Sequence, residues 1–320
     1  MTLPLASSRL NSMSARPDLW PLGTDTIGLI QRAGRVRGLD LVDINYPQHT
    51  QGVPLTDVKA TLAASGLRVG AINLRYEGEF LAGAFTHPDA AIRRKAIDMT
   101  RQAGEYALEV GTRQLIVWPG QDGYDYPFQV DYQRVWNHTI EGFQQVCDAL
   151  PELSIAIEYK PIEPRRFYVL GDMGATLLAI SDIGRPNVGV ALDFAHSLLA
   201  GENPAQAAQM AISRGKLFDI HLNDAFGRAD DGLIVGSVHP VQTLELIYTL
   251  QQYHYGGHIY FDTFPVREDP VAEAEKNIAR LKHFWEMAAA LDRDVMTRAQ
   301  HAQDALSILA ALHEREFQSP

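Results

Sequence analysis

Four short stretches of this chain close an apolar run with residues that can ligate a metal or move a proton. They are Glu158-Tyr159-Lys160-Pro161, Asp193-Phe194-Ala195-His196, His221-Leu222-Asn223-Asp224 and Asp262-Thr263-Phe264-Pro265. Taken singly, each has a bland explanation: Asp193 or Asp262 as a helix N-cap, His196 or His221 as a hydrogen-bonded core histidine. Taken together they bring carboxylates and imidazoles to the same end of four consecutive strands. Buried carboxylates that close repel one another unless a cation lies between them. Glu158, Asp193, His221 and Asp262 thus make a mixed oxygen and nitrogen shell suited to Mn²⁺, Mg²⁺, Co²⁺ or Zn²⁺, and the lack of cysteine in the set argues against a closed structural zinc site.

The elements that must carry these residues follow from periodicity. Short apolar, β-branched runs alternate with helical segments: Leu39–Asn45, Arg68–Leu74, Gln114–Trp118, Ser154–Tyr159, Val188–Leu192, Leu217–Leu222 and His258–Phe261 read as strands. Helices are expected near Thr26–Arg35, Thr56–Ser65, Asp89–Val110, Asp131–Leu150, Gly174–Ile183, Pro204–Arg214 and Val241–Tyr253. Strict β/α alternation with strands apolar on both faces implies a parallel sheet. The competing open, doubly wound sheet would carry a glycine-rich phosphate loop after an early strand, and none is present. The expectation is a (β/α)8 TIM barrel, with Asp18–Leu22 as the eighth strand needed for closure.

That division makes residues 1–16 a flexible N-terminal tail, 17–290 the barrel and 291–320 a C-terminal helical extension. The stretch Asp292–Phe317 reads as one amphipathic helix with a stripe of Ala302, Ala305, Leu306, Leu309 and Leu312. Buried against a neighbouring subunit, that stripe would make a homodimer or homotetramer. With 320 residues, 46% hydrophobic, the chain has enough apolar material for one barrel. A net charge of −11 without a Lys/Arg cluster disfavours nucleic acid as a partner. The one cysteine, Cys147, permits no intrachain disulfide and sits in a helical stretch as a small core residue. No apolar run is long enough to span a bilayer and the N-terminus has no secretory apolar region, so a cytoplasmic location without membrane contact is expected.

The motifs resemble those of the xylose isomerase-like barrel superfamily, which holds sugar isomerases, sugar epimerases and an AP-endonuclease branch, with L-rhamnose isomerase-type enzymes nearest in pattern. The resemblance covers about Leu39 to Trp285. It rests on Glu158-x-Lys160-Pro161, Asp193-x-x-His196, His221-x-Asn223-Asp224, the loop Asp230-Asp231-Gly232-Leu233-Ile234-Val235-Gly236-Ser237, Asp262, and Trp118-Pro-Gly-Gln-Asp122-Gly. It implies that Glu158, Asp193, His221 and Asp262 hold one divalent metal. A second would bind His196, Asp230 and Asp231 and share a ligand with the first. It further implies that Lys160 polarises the sugar carbonyl, with Trp118, Asp122, His196, Asn223 and Phe264 as candidate sugar contacts. A proton route through an enediolate would use Glu158 and Asp262, whereas a hydride route would use two metals and no base. Relatives of the rhamnose isomerase type carry a third acid where this chain has Gly232, which places the second metal in question.

The implied activity is aldose–ketose isomerisation, or epimerisation, of a sugar or sugar phosphate. The alternatives are a metal-dependent phosphodiester or AP-site hydrolase on the same barrel, and a degenerate barrel that binds sugar without turnover. Aromatic residues near strand ends (Trp118, Tyr159, Phe194, Phe226, Phe264) are candidates for a pocket wall. Arg165, Arg166, Arg228 and Arg267 are candidates for an anionic substrate group.

Overall fold

A computed structural model of the chain describes residues 2–316. Eight parallel strands close a barrel: β1 (Ala6–Arg9), β2 (Leu41–Tyr46), β3 (Arg68–Leu74), β4 (Gln114–Val117), β5 (Ser154–Glu158), β6 (Val188–Asp193), β7 (Leu217–Leu222) and β8 (Ile259–Phe261). β1 lies between β8 and β2, pairing Ser7 with Tyr260 on one side and with Leu41 on the other. Helices cover the outside, and their N-termini are capped by side chains the sequence supplies at the right places. Asp131 accepts from the Arg134 N–H, Asp172 from Ala175 and Asn203 from Gln206. Gly111 and Gly184 close two helices at φ 101° and 63°, the left-handed region in which glycine has no Cβ penalty.

The first strand corrects the sequence expectation. Asp18–Leu22 forms no ladder: Pro17–Leu19 is a 3₁₀ turn, Leu19 and Leu22 are exposed, and Pro21 lacks the N–H a barrel strand needs. Closure is made by Ala6–Arg9 instead, inside the stretch expected to be a loose tail. Its small residues Ala6, Ser7 and Ser8 are buried between two neighbouring strands, but they give no hydrophobic signal. The following turn is anchored by Leu10 and Met13 in the core and by buried Arg32, which donates to the carbonyls of Met13 (2.7 Å) and Ala15 (2.6 Å).

The C-terminal extension departs as well. After Pro270–Ala290 the chain forms two helices, Arg293–Ala302 and Ala305–Glu316, separated by Gln303 in the left-handed region at φ 53°. The break turns most of the expected stripe outward: Leu306 and Leu309 are 80% and 49% exposed. The packed face consists of Met296 and Ala299, with Ile308, Ala311 and Leu312 against the core. Phe317, the expected end of that helix, lies outside the described residues.

Inside the barrel, Ala71, Ile116, Ala156 and Ala191 form a small apolar layer. Nearer the N-terminal ends of the strands lies a polar cluster. Asp43 accepts from the Ser7 hydroxyl and the Ala71 N–H, and His258 Nε2 stands 3.6 Å from Asp219. Burial pushes the Asp43 carboxyl up to about 6.

Candidate metal centre

Glu158 ends β5, Asp193 ends β6, His221 lies on β7 and Asp262 follows β8, so one period-2 backbone pattern aims all four at the barrel's C-terminal mouth. One ligand atom from each lies within 4.8 Å of the others, and all four residues are buried. Both His221 ring nitrogens and Asp262 Oδ1 are buried without a hydrogen-bond partner. The charges show what the group lacks. Burial disfavours charge on the imidazoles, yet the facing carboxylates overcome it and raise His221 to about 10 and His196 to about 9. Burial would likewise raise Glu158, but the two imidazoles hold it at about 2. Asp193, buried among Asp230, Asp262 and Glu158, rises to about 7 despite His196. A divalent cation held among these carboxylates would offset the same negative charge that the histidine protons offset.

Asp193 has two jobs at once. Its Oδ1 accepts from the His196 N–H at 2.9 Å, capping a short helix, while the carboxylate also belongs to the four-residue group. The carboxylate that caps the helix is therefore also the one presented to the four-residue group.

A second group shares Asp193 and adds His196 and Asp230. His196 Nδ1 lies 3.0 Å from the Tyr159 carbonyl, which can only accept. That contact places N–H on Nδ1 and leaves Nε2, 3.2 Å from Asp230, to face the cluster. Lys160 donates to Asp230 at 2.9 Å and lies 3.5 Å from Glu163. Asp231 is not part of the group, because its carboxylate accepts from the Phe226 N–H and pins its own loop. The missing third acid has a steric cause. Gly232 sits at φ 57° with the Phe264 ring against its Cα, and a Cβ built there would run into that ring.

Above these groups lies a cavity of about 280 Å³, and Trp118, His196 and Phe264 line it as expected. Asp122 and Asn223 do not reach it. The Asp122 carboxylate accepts from the N–H groups of Ala84 (2.7 Å), Phe85 (3.2 Å) and Thr86 (3.0 Å), tying two loops together. Asn223 lies behind the metal group, bonded to Asp193 and to the Asp262 carbonyl. Among the other aromatic candidates, Tyr159 and Phe194 are core residues, and Phe226 is exposed.

None of the four loop arginines singled out from sequence lines the cavity; Arg165, for one, is bound to Asp125 at 3.0 Å. The cavity's arginines are Arg9 and Arg75, accompanied by Asn45 and Asn73. Polar residues at strand ends were the signal throughout, and applied to β2 and β3 it finds Asn45, Asn73 and Arg75. Arg9 was hidden because its strand was.

Fold and site define a (β/α)8 barrel with buried carboxylate–imidazole groups at the mouth, able to hold a divalent metal. Within that class, the chain belongs to the xylose isomerase-like TIM barrel family, which it matches over residues 22–284. It is 29% identical over 238 residues to a xylose isomerase of Thermus thermophilus, covering 72% of this chain and 62% of that protein. A xylose isomerase of Thermus caldophilus is 28% identical over the same length. The chain thus spans about 62% of the length of these relatives. Among solved structures, a D-tagatose 3-epimerase-like protein superimposes with a TM-score of 0.72 at 16% identity, over 89% of this chain and 98% of that one. A D-allulose 3-epimerase from Methylomonas sp., solved with D-allulose, gives 0.70 at 18% identity, over 88% and 98%.

Proposed function

We propose that this chain is a divalent-metal-dependent sugar isomerase or epimerase. The observation that carries the reading is the pair of carboxylate–imidazole groups sharing buried Asp193 at the floor of a polar cavity. The residues fit a metal: hard oxygen donors, imidazoles held among carboxylates, and buried atoms of His221 and Asp262 that make no hydrogen bond. Glu158, Asp193, His221 and Asp262 would hold the first ion, and Asp193, His196 and Asp230 would hold a second. When bound, such an ion supplies Lewis acidity toward adjacent oxygens of an open-chain sugar.

The chain's own residues do the rest. Glu158, kept ionised by its histidine neighbours, accepts a proton from a carbon beside the carbonyl, and Asp262 on a separate strand returns one. Lys160 keeps its proton, because Asp230 and Glu163 outweigh its burial, and its ammonium faces the cavity beside Trp118. There it donates to the substrate oxygen on which charge grows. Trp118 and Phe264 wall the cavity against the apolar faces of the sugar. The same reading carries a cytoplasmic setting, which suits a single buried cysteine, and a homodimer or homotetramer.

The test is a screen of free and phosphorylated aldoses and ketoses with added Mn²⁺ or Co²⁺, run in D₂O. Metal-dependent interconversion supports the proposal. Hydrolysis of phosphodiesters without sugar turnover would replace it with the hydrolase reading.

A further inference from the structure

The cavity has two chemically different halves. Its carboxylates and imidazoles come from β5–β8 and the loops that follow, whereas Arg9, Asn45, Asn73 and Arg75 come from the β1–β3 arc. Arg9 lies over the Phe264 ring, its guanidinium carbon 4.4 Å from the ring centroid, with Nε 3.4 Å from Asp262, and that Nε is buried without a hydrogen bond. Arg75 is less committed. Among the described residues its guanidinium has no carboxylate within 4.0 Å and no hydrogen bond, and it stands 5.8 Å from the centroid of the Trp118 ring. His49 lies nearby and is 3% exposed. Its Nδ1 accepts from the Asn45 N–H, which leaves Nε2 as a buried donor with no acceptor. Asn73 adds an amide whose oxygen is also without a partner.

Three donors on this arc, Arg9 Nε, His49 Nε2 and the Arg75 guanidinium, are without an acceptor, and Asn73 Oδ1 is an acceptor without a donor. The cavity's carboxylates all belong to the β5–β8 half, so Arg75 meets no anion on its own arc, and an anionic group on a ligand placed there would offset its charge.

We propose that the β1–β3 arc is an oxyanion subsite, with Arg75 as its principal donor, so that the substrate is an acidic sugar bearing a carboxylate or phosphate at the end remote from the metal groups. This deepens the isomerase or epimerase reading and rests on it for the word substrate, but the subsite can be tested without turnover. A guanidinium suits either anion, since its paired N–H groups match two oxygens.

The experiment titrates Mn²⁺-loaded protein with three unreactive five-carbon ligands by calorimetry: ribitol, D-ribonate and D-ribitol 5-phosphate. At least one anion should bind tenfold or more tightly than ribitol. The preference should shrink to threefold or less in Arg75→Met and return in part in Arg75→Lys, while Mn²⁺ affinity stays within twofold in both variants. Preference for ribonate alone marks a carboxylate subsite, and preference for ribitol 5-phosphate alone marks a phosphate subsite. Equal binding of all three ligands overturns the proposal. So does a preference that survives Arg75→Met, because the anion is then chelating the metal and not meeting the arc. Anion preference in a protein that turns over no sugar would sink the enzymatic reading and leave the subsite standing.

Discussion

Asn223 donates its side-chain amide to both oxygens of Asp193, at 3.3 and 3.0 Å, and accepts from the Ala195 N–H at 3.0 Å. The residue does not line the cavity, yet it sets the angle at which a carboxylate common to both candidate metal groups is presented. Partners that orient a ligand in this way are worth about 10–100-fold in metal affinity. Asn223→Leu should weaken Mn²⁺ binding by that factor in calorimetry while the far-ultraviolet circular dichroism stays unchanged. Undiminished affinity would mean that β6 alone fixes Asp193.

Metal binding should release protons. His221 near 10 and Asp193 near 7 are protonated at or below neutrality, and both must deprotonate to act as ligands. Affinity should therefore fall as pH falls, by about tenfold or more per pH unit between 8 and 6, since each released proton contributes one decade per unit. Titrations in buffers of different ionisation enthalpy count the protons directly. An affinity flat across that range would remove His221 from the ligand set.

Lys160→Met should retain the first metal, because Lys160 bonds to Asp230 and to none of the first four ligands. The loss should fall mainly on kcat, by roughly 100-fold or more, as for a donor to charge that develops in the transition state. A raised KM with unchanged kcat would reduce Lys160 to a binding contact.

His49 gives a pH signature in stability. Burial first, then the fields of Arg75 and Arg9, lower its imidazole from 6.5 to about 4. The folded chain therefore binds no proton there between pH 6.5 and 4, whereas the unfolded chain does. Stability from this group is complete above 6.5 and is lost as pH falls toward 4, by up to about 3 kcal/mol. His49→Asn keeps an acceptor for the Asn45 N–H but cannot titrate. Urea unfolding of metal-free protein should show the variant losing stability less steeply, by up to about 1.4 kcal/mol per pH unit in that window. Parallel curves for the two proteins would refute the assignment.

Leu306 and Leu309 stand exposed on the last helix. If they bury in an oligomer, Leu306→Glu with Leu309→Glu should shift light scattering toward monomer at micromolar concentration without lowering the unfolding midpoint of the separated subunit. Full-length protein that is already monomeric would end the assembly proposal.

Seven of the eight strands, with Glu158, Asp193, His221 and Asp262 among their end residues, were legible in the sequence, whereas the second group's His196 and Asp230 were implied by the family resemblance. Apolar periodicity reports which residues are buried, and polar residues at the ends of such runs stand out against it. β1 was not legible, because Ala6, Ser7 and Ser8 are buried by the strands on either side and not by any hydrophobicity of their own. With it went Arg9. Nor could sequence separate ligands from their supports: Asp122 and Asn223 carry the same chemistry as the cavity residues but bond backward, into loops and neighbouring strands. Residue type fixes what a side chain can donate or accept. Only closure of the barrel, which sets residues far apart in the chain side by side, decides which partner it meets.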